Sequence, residues 1–291
     1  MTSGSGYVFE EEAEGRALVV TGPWSDEAAE AMVRGEADGL TLNYARGFVG
    51  SDLGFLDSGL GVRRLKLLDR GIADLGPIAR LGGSLETLSV QAASSAELDL
   101  GALPHLRSVA GEWALISGTL GSVDALESVI TWRFDESDLH AFRDHVGLQR
   151  LTIKEAPYLE SLAGVGDLSE LSVFVVGLAR RLSDISDVAG PASSSLREFK
   201  LESCSAISSL DDVEHLCELR VLGFSECGEI ESLAPLDSLR HLEEVYAWGS
   251  TRIVDGDLSP LARLPQLREI RMRDRRGYKP RVADLVSALS P

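Results

Sequence analysis

Apolar residues recur along this chain in a short fixed figure rather than in long runs. Residues 196–218, LREFKLESCSAISSLDDVEHLCE, and 219–241, LRVLGFSECGEIESLAPLDSLRH, fit one template in the same frame. That template is LxxLxLxxCxxIxxLxxLxxLxx, with Phe199 and Phe224 filling two leucine slots. The frame extends both ways, with starts at Ala37, Val62, Leu85, Leu106, Leu126, Leu148, Leu168, Leu196, Leu219, Leu242 and Leu267 and intervals of 20 to 28 residues. A degenerate first copy, EGRALVVTG, occupies 14–22. Within each copy LxL is a period-two alternation, so its two apolar side chains point to one side of a strand and the residue between them to the other. One copy cannot bury that face alone, whereas stacked copies bury it as one continuous core. The return segments, SAISSLDDVEHL and GEIESLAPLDSL, offer turn residues and little room for a full α-helix, so short 3₁₀ pieces are expected there.

On these motifs the chain resembles the leucine-rich-repeat proteins over roughly residues 14 to 275, and its short copies are similar to the internalin-like class. The resemblance implies an α/β fold: a right-handed solenoid, horseshoe- or arc-shaped, with a parallel β-sheet on the concave face. Short 3₁₀ or helical returns line the convex face. It also implies a role in protein recognition, which is an inference from fold alone.

The ends read as caps. Ser25 precedes an acidic first turn and good helix formers in SDEAAEAMVRGEADG (25–39), which predicts a helix. PRVADLVSALS (280–290) places a proline at a helix start, followed by apolar residues at helical spacing. The expected organisation is therefore an N-terminal strand and capping helix over 1–36, a solenoid of about eleven repeats over 37–275, and a C-terminal capping helix over 276–291. Open stacks need such ends, because bare terminal strands pair with other chains.

The pattern fails in two places. The interval from 168 to 196 is the longest and carries GPASSS (190–195), read as a flexible insertion; the copies at 106 and 126 put Gly111 and Thr131 where a core leucine belongs. Such local failures mark either function or drift. The slot after the second core residue holds Asn43, Leu68, Gln91, Glu112, Trp132, Lys154, Phe174, Glu202, Ser225, Trp248 and Arg273, and Tyr246 stands between a core pair. Tyr44 and Trp113 adjoin these slots. Exposed aromatics are typical anchors of protein interfaces. Trp132, Phe174, Tyr246 and Trp248, with Trp113 and Tyr44, are therefore the candidate partner-binding anchors, and Glu112, Lys154, Glu202 and Arg273 the charges that would set complementarity. The alternative for Trp113 and Trp132 is that they fold inward over Gly111 and Thr131.

Charge narrows the partner. The formal net charge is −18, which disfavours nucleic acid and anionic membranes and suits a protein partner, possibly basic. One stretch runs the other way: Arg268, Arg271, Arg273, Arg275, Arg276, Lys279 and Arg281 face only Glu269 and Asp274. No apolar run reaches the ~20 residues of a spanning helix, and the opening residues lack a secretory pattern. With three cysteines this suggests a cytoplasmic protein. The preference for Arg over Lys suggests a GC-rich bacterial source.

Catalytic motifs are not evident. There is no GxSxG, HExxH, CxxC or GxxxxGK[ST]. His140 and His145 are five apart, which on a helix turns their rings about 140° from each other, too far to share a metal. Cys204 and Cys227 occupy one small-residue slot of successive repeats and are expected about 5 Å apart, by strand spacing. No cofactor or metal is expected. The sequence thus points to a cytoplasmic bacterial binding module, an adaptor or an inhibitor of the immunity-protein kind, that recognises a protein partner on its concave face. An enzyme or small-molecule binder with an aromatic-lined pocket around Trp113 and Phe174 is the alternative.

Overall fold

The computed structural model describes residues 6–289; residues 1–5 and 290–291, the outermost parts of the two expected caps, lie outside the described residues. The chain forms two compact units, the first ending at Ser128 and the second beginning at Val129.

In the first unit β1 (Tyr7–Glu12) and β2 (Gly15–Val20) form an antiparallel hairpin. Helix α1 (Asp26–Val33) follows, with the Ser25 hydroxyl accepting a hydrogen bond from the Ala28 amide at 3.3 Å. It is shorter than the stretch 25–39 suggests, because the chain re-enters the sheet at Gly39. Strands β3 (Gly39–Asn43), β4 (Arg64–Leu68), β5 (Thr87–Gln91) and β6 (Ser108–Glu112) then lie in parallel in chain order. Helix α2 (Trp113–Leu120) leaves β6 without an intervening turn. The second unit begins inside β7 (Ser128–Trp132) and contains β8 (Arg150–Lys154), β9 (Val173–Gly177), β10 (Glu198–Glu202) and β11 (Val221–Ser225). These are followed by β12 (Glu229–Ile230), β13 (Glu244–Ala247), β14 (Arg252–Ile253), α3 (Ser259–Arg263), β15 (Glu269–Met272) and α4 (Val282–Leu289). Strands β8 to β11, β13 and β15 pair in parallel in that order, while β12 and β14 form a separate two-stranded piece.

The repeat explains this order. Each LxL pair lands on one face and is buried, as with Leu65 and Leu67 in β4 or Phe199 and Leu201 in β10. Burying such a pair contributes roughly 3–6 kcal/mol, by the transfer energies of single apolar side chains. The return path is short 3₁₀ helix, for example Gly76–Leu81, Asp211–His215 and Ala234–Ser238. Its turns are held by side chains. The carboxylates of Asp52, Asp57, Asp69, Asp74 and Asp99 each accept the amide of a glycine two residues on, at 2.6–2.9 Å. In the second unit Asp138, Asp184 and Asp257 likewise accept the amide two residues on, from His140, Ser186 and Ser259 at 2.8–3.1 Å. Part of the acidic excess therefore shapes turns.

One repeat boundary differs from the sequence frame. Phe174, not Leu171, lies opposite Phe199, and Val176 lies opposite Leu201. The copy in β9 thus starts at Leu171, three residues after Leu168. Leucines at both positions satisfy the template, and only pairing with β10 distinguishes them. Phe174 is consequently a core residue, fully buried and stacked on Phe199 with centroids 5.6 Å apart. The segment GPASSS is an ordered turn: Ala192 is buried, and the Ser195 hydroxyl donates to the Leu171 and Ala192 carbonyls.

Where β7 to β11 and β13 end, one residue adopts the left-handed region: Arg133, Glu155, Leu178, Ser203 and Glu226, with φ of 54–59°, and then Gly249. For residues other than glycine this costs about 1–2 kcal/mol. The gain is a sharp turn that sends the next small residue inward and extends the ladder. The Leu178, Ser203 and Glu226 amides donate to Glu202, Ser225 and Trp248 carbonyls at 2.8–3.0 Å. Behind them Ala156, Ala179, Cys204 and Cys227 are wholly buried. Both thiols lie near backbone carbonyls, Cys204 3.6 Å from Glu202 and Cys227 3.4 Å from Leu201. Contact with Cys204, and then burial, push the Cys227 thiol up, so it stays protonated.

Candidate partner-binding surface

The residues opposite the core pairs form the open face of each sheet. Across β2 to β4 of the first unit this face is closed down. Val19 and Thr41 are buried there. The Arg64 guanidinium, 8% exposed, makes two hydrogen bonds to Asp38 at 2.7 and 2.8 Å and one to the Glu14 carbonyl. The Lys66 ammonium meets Glu12 at 2.5 Å, and Arg46 pairs with Glu10. Asn43 is half-buried, and its side chain accepts from the Ala45 amide. Tyr44 stands beyond β3, 63% exposed.

In the second unit the slot after the core pair forms one row across the strands, because parallel neighbours keep register. From β8 onward the row reads Lys154, Gly177, Glu202 and Ser225. It continues to Trp248 just past β13 and to Arg273 just past β15. Trp132 holds the same slot in β7, half-buried. Lys154, Glu202 and Arg273 are exposed, and Trp248 is 60% exposed, with its amide 3.2 Å from the Ser225 hydroxyl.

Tyr246 stands between the core residues Val245 and Ala247, half-buried on the same face. Its ring lies between two cations, with Lys200 Nζ 5.6 Å and the Arg271 guanidinium 5.5 Å from the centroid. Lys200 reaches it across Gly223, where a Cβ would come within 2.8 Å of the lysine Cγ. The phenol donates to Glu244 at 2.6 Å. That bond pushes the Tyr246 phenol up to about 12 and holds the Glu244 carboxyl below its ordinary value. Lys200 pairs with Glu198 at 2.6 Å, Arg271 with Glu269 at 2.5 Å, and Arg268 with Glu243 and Glu244. Around Tyr246, therefore, the charges neutralise one another.

Beside this group lies an open hollow of about 500 Å³, lined by Tyr246, Trp248, Ile270, Met272, Val282 and Val286, with Arg271 and Ser225 at its margin. Ile270 and Met272 are the core pair of the last repeat. Among the described residues no further strand pairs with β15 beyond β13, and α4 packs there, burying Val282 and Leu285.

Three solved structures resemble this architecture. Internalin C2 from Listeria monocytogenes is 20% identical, covers 67% of this chain and 76% of its own, and gives a TM-score of 0.41. An internalin, inlF, from the same organism is 17% identical, covers 80% of each chain and gives 0.45. The plant peptide hormone receptor RGFR1, determined in complex with RGF2, is 15% identical and gives 0.50, with 92% of this chain matched to 40% of the receptor chain. No family model matches the sequence, and no curated protein does. The repeated strand register and the receptor's agreement over nearly the whole chain decide the architecture. The fold is the leucine-rich-repeat solenoid.

Against that solenoid the sequence-derived candidates separate. Trp132, Lys154, Glu202, Trp248 and Arg273 share one row, with Tyr246 beside it. Phe174 and Trp113 do not belong to an open face. Phe174 is core for the register reason given above. Trp113 is 2% exposed because it is the first residue of α2, which turns it inward. Neither ring is available to line a pocket. Gly111 is explained by the same helix: a Cβ there would lie 2.8 Å from Ile116 Cγ2, so Ile116 fills the missing leucine's place. Thr131 is fully buried, and its hydroxyl is one of two buried side-chain polar atoms without a hydrogen-bond partner among the described residues. Glu112 is half-buried at the end of β6.

The sequence frame missed the apolar hollow. Ile270, Met272, Val282 and Val286 read as core or cap residues, and a single signal pointed elsewhere: the last core pair has no successor in the repeat. The His140–His145 segment is mixed in exposure. His140 is exposed against Asp138 at 2.9 Å, whereas His145 is buried.

Proposed function

We infer that the protein is a binding module that holds a protein partner on the open sheet face of its second unit, around Tyr246 and Trp248. The observation that carries this reading is an indole 60% exposed beside an apolar hollow of about 500 Å³. Large exposed aromatics in such settings are where interface energy concentrates. Trp132, Lys154, Glu202 and Arg273 extend the same surface. An adaptor or inhibitor role in a bacterial cytoplasm fits the acidity, the arginine preference and the three thiols.

A random dodecapeptide library displayed on phage tests the surface directly. Selection on the intact protein should enrich sequences that lose at least tenfold of their enrichment on the Tyr246→Ala, Trp248→Ala double variant. Enrichment that is equal on both proteins, or absent on the intact one, would remove this face as the binding site.

A further inference from the structure

The three charged groups of the Trp248 row form no ion pair among the described residues. Arg273, Glu202 and Lys154 are exposed and form none among the described residues, whereas Lys200, Arg268, Arg271 and the glutamates beside Tyr246 are matched to one another. The unmatched charges are ordered. Strands lie about 4.8 Å apart, so Arg273 stands about 5 Å from Trp248 on one side and Glu202 about 10 Å away on the other. Between Trp248 and Glu202 lies only Ser225, and beyond Glu202 only Gly177 before Lys154. The small side chains leave the row unobstructed.

We propose that the partner segment crosses the strands along this row with opposite charges on either side of an apolar anchor. The anchor sits at Trp248 and the hollow, a carboxylate faces Arg273, and a cation faces Glu202. An extended chain rises about 3.3 Å per residue. The carboxylate therefore falls one or two residues from the anchor, and the cation about three residues away on its other side. This order refines the expectation of a basic partner: at this site the partner is dipolar, because the protein's own unmatched charges are. The inference rests on the binding reading above.

The test repeats the phage selection on three exposed-residue variants, each first shown by circular dichroism to melt like the intact protein. The intact protein should select an apolar residue flanked by an acid on one side and a base on the other. Arg273→Glu should select bases on both sides, and Glu202→Lys acids on both sides, each with at least a tenfold change in flank preference. Trp248→Ala should abolish selection of the anchor. Anchored sequences that depend on Trp248 but keep the same flanks on both charge variants would overturn the charge order and leave the site standing. Sequences indifferent to Trp248→Ala would overturn the site itself.

Discussion

The two units build their sheets from the same alternation yet finish their open faces in opposite ways. In the first, the two basic side chains of β4 are consumed internally, Arg64 by Asp38 and the Glu14 carbonyl and Lys66 by Glu12, and Val19 and Thr41 are buried. In the second, the row through Trp248 keeps an exposed indole and three charges without ion pairs among the described residues. The returns differ too. Among the described residues, every non-glycine residue with positive φ lies in the second unit, while the first unit interrupts its repeats with α1 and α2. The lesson is that the repeat dictates which residues point outward, but neighbouring side chains decide which of them remain available. Identical slots become structure in one unit and surface in the other.

The largest test of this contrast concerns residues that look alike in sequence. Phe174→Ala should destabilise the protein by about 3–5 kcal/mol, because it opens a cavity against Phe199, and denaturant titration measures this. Trp248→Ala should leave the same titration unchanged within about 0.5 kcal/mol. It should instead weaken a selected peptide by about 2 kcal/mol, roughly 30-fold, as read by calorimetric titration. A loss of stability from Trp248→Ala comparable to that from Phe174→Ala would erase the distinction between core and surface drawn above.

In the first unit, Gly111→Ala should cost about 1–3 kcal/mol through overpacking against Ile116. Combined with Ile116→Ala, the loss should be smaller than the sum of the two single losses, as neighbours in contact require. Strict additivity would show that α2 does not fill the leucine slot.

Smaller effects probe the second unit's turns and the buried Thr131 hydroxyl. Ser203→Gly should stabilise by about 0.5–1 kcal/mol, by relieving a left-handed backbone that glycine adopts freely. Thr131→Val should be neutral or stabilising by up to about 1 kcal/mol, since it removes a buried hydroxyl with no partner. A destabilised Thr131→Val would mean that the hydroxyl is bonded.

The smallest effect is on acid stability. Bonds from Ser186 and its amide hold the Asp184 carboxyl below its ordinary 3.8, and the Tyr246 phenol and Arg268 hold Glu244 below 4.5. Folded values below unfolded ones mean that this stabilisation is complete above about pH 4.5 and fades as pH falls through the lower folded values. Asp184→Asn should flatten the acid limb of a stability–pH curve measured between pH 5 and 2, at roughly these reference values.

Much of the fold was legible because a period-two figure repeated in one frame has few solutions. The core pairs of β3 to β5, the short 3₁₀ returns, the inward Cys204 and Cys227 and the shared slot of Trp132, Lys154, Glu202, Trp248 and Arg273 all follow from spacing. Where spacing was degenerate it misled. Leu168 and Leu171 both satisfy the template, so the copy in β9 was read three residues early and Phe174 was moved from the core to the face. Trp113 is on no strand, so alternation had nothing to say about it.

By itself, then, the sequence determined the architecture and the two sides of each strand, because burying LxL is a local demand repeated along the chain. Tertiary structure decided the rest: which leucine starts the copy in β9, by pairing with β10; where Trp113 points, by the direct exit of α2 from β6; and which charges stay unmatched, by ion pairs such as Arg64 with Asp38 that join residues far apart in the chain. It also made the hollow beside Trp248, because the core pair of β15 meets a short helix rather than another strand among the described residues.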